Sequence, residues 1–278
     1  MASSLSAVQP EIHLGPLTLQ TFGLMFALGF LAAGLIIAKR LKELVSPVDC
    51  AYEIVIAGAL GGVIGAKLWF SVQQGDWSAS QVLSGTGLVW YGGALGGAAA
   101  VVAYAAWRKI LTLTLLDVTA PALAAGYAIG RIGCQLSGDG DYGRVTDAWW
   151  GMSYANGTVP TPPGVHVHPT PLFDAILMGL LAAVLWRLRD RFAPGVLFAI
   201  YLIVSSIERF AIEFLRRNEA LALGLTLAQW TSVVLIAIGV VFARAGLHEA
   251  ALPCFERAVA LAPARAPLQF NLASTLKF

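Results

Sequence analysis

The residues most able to do chemistry are charged side chains placed in or against apolar runs. Arg131 stands in the stretch Gly126–Arg144, GYAIGRIGCQLSGDGDYGR, which begins apolar and then turns glycine-rich and acidic. A guanidinium at an apolar edge is costly unless it meets an anion, a carbonyl or water. Its planar fork suits phosphate or carboxylate. Two readings follow: an anion site at a membrane–water boundary, or a tight interhelical loop from which Arg131 snorkels to water. Glycines at 130, 133, 138, 140 and 143 are expected to admit close approach and positive φ. A second group is Glu208, Arg209, Glu213, Arg216 and Arg217. Arg209 and Glu213 are four apart and share a helix face, which Arg216 and Arg217 are expected to continue. The plain alternative is an ion-pair ladder that only stabilises a helix end. A third group is Tyr91-Gly92-Gly93-Ala94-Leu95-Gly96-Gly97, whose glycines let another backbone or a ligand come close. Asp117 reads as a helix N-cap and Lys67 as reaching headgroups. His166 and His168 are two apart, point to opposite sides of a strand and share a metal poorly, so no metal site is expected.

These groups sit in a chain of 278 residues that is 58% hydrophobic and only 12% charged. Soluble proteins carry about a quarter charged residues. With a mean hydropathy of +0.73, the chain reads as an integral membrane protein. A net charge of +2 without a basic run gives nucleic acid nothing to hold. Cys50, Cys134 and Cys254 have no metal or disulfide spacing. Residues 1–20 hold no lysine or arginine, so the basic start of a signal peptide is missing and the first apolar run is expected to be an uncleaved span.

Seven apolar runs approach the ~20 residues needed to cross a bilayer, at about 17–38, 54–73, 88–107, 115–133, 172–187, 195–215 and 226–243. Basic residues follow the first, third, fifth and seventh runs: Lys39, Arg40 and Lys42; Arg108 and Lys109; Arg187, Arg189 and Arg191; Arg244. The positive-inside rule then predicts an outside N-terminus and a cytoplasmic C-terminus. The expected fold is an all-α membrane protein of about seven transmembrane helices with an irregular outer-face loop region. That region, about 134–171, carries Trp149 and Trp150, which suit a headgroup layer, and five prolines from Pro160 to Pro171 that bar a long helix. Short strands or irregular arms are expected there, with function, since long loops in compact proteins usually carry it. No internal repeat of spans suggests a transporter.

Together the motifs resemble those of the bacterial prolipoprotein diacylglyceryl transferase family. Gly130-Arg131-Ile132-Gly133, with Gly138 and Tyr142-Gly143-Arg144, is similar to its glycine-rich signature. Tyr91-Gly92-Gly93 resembles its His-Gly-Gly segment, and Asp117 to Pro121 its Asp-x-x-x-Pro entry to the fourth span. His168-Pro169-Thr170-Pro171-Leu172-Phe173-Asp174 resembles its HPxxLYE motif, and Arg209, Glu213 and Arg216 its R-x-x-x-E-x-x-R segment. The likeness covers about residues 15–245 in the family's order.

The resemblance implies transfer of the diacylglyceryl group of phosphatidylglycerol to the lipobox cysteine of preprolipoproteins, in the bacterial plasma (inner) membrane, without a cofactor. It implies catalytic roles for Tyr91, Arg131 and Arg209. It implies substrate binding by Gly92, Gly93, Asp117, Cys134, Asp139, Gly143, Arg144, His168, Glu213 and Arg216. The partners it implies are phosphatidylglycerol, preprolipoprotein signal peptides and the bilayer. The chain departs from the family at Tyr91 (histidine), Cys134 (asparagine), Phe22 (tyrosine) and Ser205 (tyrosine), and its signature loop is one residue longer. A tyrosine, with a pKa of ~10, is a poorer base than histidine at neutral pH. The alternative reading is therefore a transferase-like protein that binds anionic phospholipid and recruits partners. Residues 246–278 form a separate cytoplasmic tail in which Ala250, Ala251, Phe255, Ala258 and Pro263 are spaced as in a tetratricopeptide repeat, a candidate protein-binding segment; a plain amphipathic tail is the alternative.

Overall fold

A computed structural model describes residues 8–75, 78 and 89–261. Among these, seven α-helices stand where the seven apolar runs were read: α1 Thr21–Glu43, α2 Asp49–Gln74, α3 Trp90–Trp107, α4 Leu113–Ser137, α5 Thr170–Leu188, α6 Val196–Ile212 and α7 Leu227–Leu261. Five are long and apolar enough to cross a membrane: α1, α2, α4, α5 and α7 over Leu227–His248. Helices α3 and α6 are 18 and 17 residues long. The protein is thus mostly helical and apolar. Two small hairpins are added, β1 Glu11–Leu14 with β2 Leu17–Gln20, and β3 Ala220–Ala222 with β4 Leu225–Thr226.

The chain divides into two compact units, Phe30–Leu115 and the remaining described residues. In the first, α2 lies against α3 along paired glycines. A Cβ on Gly65 would run into the carbonyl oxygen of Gly92 and, at 2.8 Å, the Cα of Gly96; a Cβ on Gly92 would meet Gly65 and Trp69. Gly93 faces Gly62 and Ala66 at 3.5 and 3.6 Å. Where lipid is as apolar as leucine, such close packing is what joins two helices. The neighbour that Gly92 and Gly93 admit here is the backbone of α2, one of the two close approaches expected of these glycines. Nearer the helix ends, Tyr104 of α3 and Arg108 just beyond it both contact the Glu53 carboxylate on α2.

In the second unit, small and large apolar residues repeat at helical spacing. Ala120, Ala124 and Ala128 of α4 pack on Met178, Leu181 and Leu185 of α5 and Leu197 of α6, with Tyr127, Phe198 and Tyr201 around them. The next residues along these faces are Arg131, three after Ala128, and Asp174, four before Met178. The apolar contact thereby sets two opposite charges at one end of the bundle. Gly195 starts α6 at φ 89°, and its N–H donates to Asp117 Oδ2 at 2.8 Å while the Phe198 N–H donates to Oδ1 at 2.7 Å. Asp117 thus caps α6 and not its own helix, where Thr112 accepts from the Leu115 N–H instead. Both carboxylate oxygens are engaged in that cap, which corrects the expectation of an α4 N-cap.

Boundaries shift for readable reasons. The first helix begins at Thr21 and not near residue 17, because Leu17–Gln20 pairs with Glu11–Leu14 across a Gly15-Pro16 turn with Gly15 at φ 62°. The α4 helix runs to Ser137, so Gly130 and Gly133 are helical and only Gly138 and Gly140 of the signature have positive φ. Helix α6 stops at Ile212, followed by a 3-10 turn over Glu213–Leu215. The boundary expected at 245/246 lies inside α7, which also spans Ala250, Ala251, Phe255 and Ala258 of the repeat-like pattern, whereas Pro263 lies outside the described residues.

Two substitutions check this packing. Gly65→Leu is expected to force α2 and α3 apart and lower stability by roughly 1–3 kcal/mol, read as the thermal midpoint of purified protein in detergent. Asp117→Ala, by removing two charge-assisted caps, is expected to cost about 1–2 kcal/mol, with Asp117→Asn losing less. An unchanged midpoint in either alanine or leucine variant would contradict the contacts.

Candidate active site

Six segments bring a charge cluster together at the end of the second unit's bundle. Arg131 comes from α4, Asp141 from the loop after it, Asp174 from the first turns of α5, Glu208 and Arg209 from α6, Glu213 from the 3-10 turn and Arg216 from the extended residue beyond. Arg131 donates through Nη1 to Asp141, and its Nε forms an ion pair with Asp174 Oδ2 at 3.1 Å. Arg216 Nη2 donates to Asp141 Oδ1 at 2.6 Å, and its other nitrogens lie 4.0 Å from Asp174 and 3.9 Å from Glu213. Arg209 Nη2 lies 2.9 Å from Glu213 Oε2. Glu208 adjoins Asp174. Asp174 is 0% and Glu213 2% exposed, so these are buried pairs. Removing one partner of such a pair leaves an uncompensated charge, at roughly 3–5 kcal/mol.

Several polar atoms of the cluster are buried without a hydrogen bond: Arg209 Nη1, Arg216 Nη1, Tyr127 OH, Ser206 Oγ and one oxygen each of Glu208 and Glu213, with both of Asp174. Buried groups of this kind usually have partners, so the arrangement points to a polar ligand. Outside it, Gly140, Asp141, Tyr142, Arg216, Arg217 and Asn218 line a cavity of about 330 Å³. Asp141 and Arg216 belong to both, so their ion pair stands between the cavity and the buried charges.

The loop after α4 is braced so that Asp141 is fixed. Tyr142 stacks on the fully buried Tyr154 at 4.7 Å, and Val8 and Val167 complete this small core. Tyr154 donates to Gln135 Oε1 at 2.7 Å, and Tyr142 to the Val159 carbonyl at 3.0 Å. Val167 bridges to Val145 and Met152, the short strand-like pairings expected of this loop. Arg217 lies over the Tyr142 ring at 4.3 Å and donates to the Gly140 carbonyl. Burial works to raise the Asp141 carboxyl, but Arg216 and Arg131 outweigh it and hold it below the usual aspartate range. Asp139 has no such help: burial first, then Asp141, push its carboxyl up. Burial likewise raises the Tyr154 hydroxyl.

Of the residues singled out in sequence, Arg131, Arg209, Glu213 and Arg216 converge. Arg216 does so from the extended chain and not from the α6 face, because the helix has already ended. Asp139 and Cys134 border the cluster: Cys134 Sγ is 4.0 Å from Arg131 Nη1, and Asp139 accepts from the Asp141 N–H. Cys134, Asp139 and Asp141 place their ligand atoms within 4.8 Å of one another, but the guanidiniums already on Asp141 disfavour a cation. Arg144, Gly143 and His168 serve the frame. Arg144 Nε donates to the Arg216 carbonyl at 2.9 Å, the Gly143 N–H to the His168 carbonyl at 2.8 Å, and the Trp150 indole to His168 Nδ1 at 3.1 Å. A Cβ on Gly143 would collide with the Leu215 carbonyl, so that glycine is a packing requirement. Tyr91, in the other unit, has Trp90 edge-on at 5.2 Å. Sequence reasoning passed over Asp141, Tyr127 and Asp174 as site residues. The signals available were Asp174 closing the HPxxLYE-like motif and Tyr127 standing one helical turn before Arg131.

The chain matches the sequence model of the family described as prolipoprotein diacylglyceryl transferase over residues 10–244. It is 33% identical over 225 residues to a Clostridium tetani protein named phosphatidylglycerol–prolipoprotein diacylglyceryl transferase, covering 79% of this chain and 90% of that one. Proteins of the same name from Dehalococcoides mccartyi and Geobacter sulfurreducens are each 32% identical, over 237 and 221 residues. These cover 82% and 75% of this chain and 90% and 82% of the relatives. The buried arginines and their carboxylates thus belong to a chain that is a member of the prolipoprotein diacylglyceryl transferase family.

Proposed function

We propose that this protein transfers the diacylglyceryl group of phosphatidylglycerol to the lipobox cysteine thiol of preprolipoproteins, the first step of lipoprotein maturation. One observation carries the reading: in a member of this family, three guanidiniums are gathered at the end of an apolar helix bundle, and Arg209 and Arg216 each keep a buried nitrogen without a hydrogen bond. A phospholipid needs an apolar setting for its chains and cations at its phosphate, and both occur here.

In the reaction the thiol sulfur bonds to the terminal glyceryl carbon while that carbon's bond to the phosphate oxygen breaks. The electron pair stays on the oxygen. Glycerol phosphate leaves as the monoester and, overall, takes the thiol proton. Arg131 and Arg209 hold the phosphate and offset the charge that grows on it. Their field also favours thiolate over thiol, whose ordinary pKa is about 8.5. Glu213 orients Arg209, and Asp141 with Asp174 orients Arg131. Tyr91 stands at the position of the family's histidine, with a hydrogen-bonding role in the transfer. The setting is a bacterial plasma membrane crossed seven times, N-terminus outside, with Trp149, 91% exposed, at the headgroup layer. The segment beyond 245 is the cytoplasmic candidate for a protein partner.

The decisive experiment is lipidation of a lipobox substrate in cells lacking their own transferase. Expression of this chain should restore it; failure with correctly inserted protein would leave the lipid-binding alternative. Arg209→Lys keeps a charge beside Glu213 but loses the fork, and is expected to lower transfer by about 10²-fold or more while the protein still inserts. Arg131→Ala should abolish transfer and also lower the thermal midpoint, because Asp174 loses its nearest cation. Normal transfer by either variant would remove the phosphate assignment.

The two loop aspartates should behave oppositely. Asp141 is held below its unfolded pKa of about 3.9, so its contribution is present above that value and lost as pH falls through the lower folded one. Asp139 is raised, so it destabilises once pH exceeds the unfolded value. At pH 7 Asp141→Asn should lower the thermal midpoint and Asp139→Asn should hold or raise it; the reverse order would refute the charge assignment.

A further inference from the structure

Tyr127 is a half-buried side chain with a buried hydroxyl that neither the sequence motifs nor the transfer scheme above uses. It lies on α4, one turn before Arg131, whose guanidinium sits over its ring at 4.8 Å from the centroid. Its hydroxyl is buried and makes no hydrogen bond. The charged groups around it are Arg131, Asp174, Arg209 and Glu208, which come from three helices. None of these carboxylates accepts from the phenol, and guanidiniums have no lone pair to offer it. The ring face is already occupied by Arg131, so ring packing accounts for the body of the side chain but not for a hydroxyl among charges. An O–H so placed has a partner when a group rich in acceptors enters between the arginines. A phosphoryl group fits that description, since its oxygens accept from guanidinium and phenol alike.

We propose that Tyr127 is a catalytic residue of the transfer: its O–H donates to the phosphate oxygen that departs from the glyceryl carbon, beside Arg131 and Arg209. The inference rests on the transferase reading. Carbon–sulfur bond formation and carbon–oxygen cleavage proceed as already written. The phenol transfers no proton; its hydrogen bond strengthens as the departing oxygen gains charge, so it acts more on the transition state than on bound substrate.

The test uses the purified full chain in phosphatidylglycerol-containing vesicles with a lipobox peptide. Tyr127→Phe keeps the ring beneath Arg131 and removes only the hydroxyl. The expected result is a fall in kcat of about 10²-fold, in the range for loss of one positioned oxyanion donor, with KM for the peptide and the thermal midpoint unchanged. Replacing Tyr127 by 3-fluorotyrosine preserves shape while making the phenol more acidic; it should keep activity and change kcat in the direction of a stronger donor. Wild-type kcat in Tyr127→Phe overturns the inference and leaves the transferase reading intact. A rise in KM alone, or a lowered midpoint with no response to the fluorinated residue, assigns Tyr127 to binding or packing and also overturns it. Absence of turnover by wild type with phosphatidylglycerol bound sinks the transferase reading itself.

Discussion

The structure depends on the cost of placing guanidinium groups at the end of an apolar bundle. Arg131 and Arg216 are almost wholly buried, and each is stabilised only because Asp141 and Asp174 reach both of them. Desolvation of such ions can exceed their mutual attraction unless the geometry is good and the remaining donors are satisfied. Here the donors are not all satisfied. Arg209 Nη1 and Arg216 Nη1 stay without hydrogen bonds, so the cluster is held together yet keeps the capacity to meet an anion.

That demand explains much of the surrounding architecture. The alanine stripe of α4 lets α5 and α6 come close enough for Arg131, Asp174 and Arg209 to meet. Asp117 fixes where α6 starts, and so the height at which Arg209 and Glu213 stand. The end of α6 at Ile212 turns Arg216 out of helical register and toward Asp141. The loop beyond α4 would be free to carry Asp141 elsewhere were it not pinned by the Tyr142–Tyr154 stack and by Gln135. Gly143, Arg144 and His168 belong to this frame: they place Arg216 and the start of α5 rather than touch the charges directly.

The apolar setting also bears on catalysis. Charges in a low-dielectric site act more strongly on a developing phosphate charge than they would in water, and being held in place they need no reorganisation as the reaction proceeds. The same holds for a phenol already aimed into the cluster. A site built from several fixed donors leaves less for a single strong base to do.

What the sequence determined by itself was the class of the protein, the placing of its helices and the chemistry of its charges. Apolar runs of bilayer length can only be satisfied as helices, and intramembrane arginines stand out against such a background, so Arg131, Arg209, Glu213 and Arg216 were legible one by one. Local turn chemistry was legible too, although the Gly15-Pro16 hairpin hid inside an apolar run and delayed the start of α1. The tertiary structure decided which residues share a site. Asp141 and Asp174 are 33 positions apart in sequence but meet the same two arginines. Gly92 and Gly93 meet the backbone of α2, and Asp117 caps α6 and not its own helix. A glycine or a carboxylate carries no sign of which neighbour it will meet: that follows from how helices cross, and the crossing is set by contacts between residues far apart in the chain.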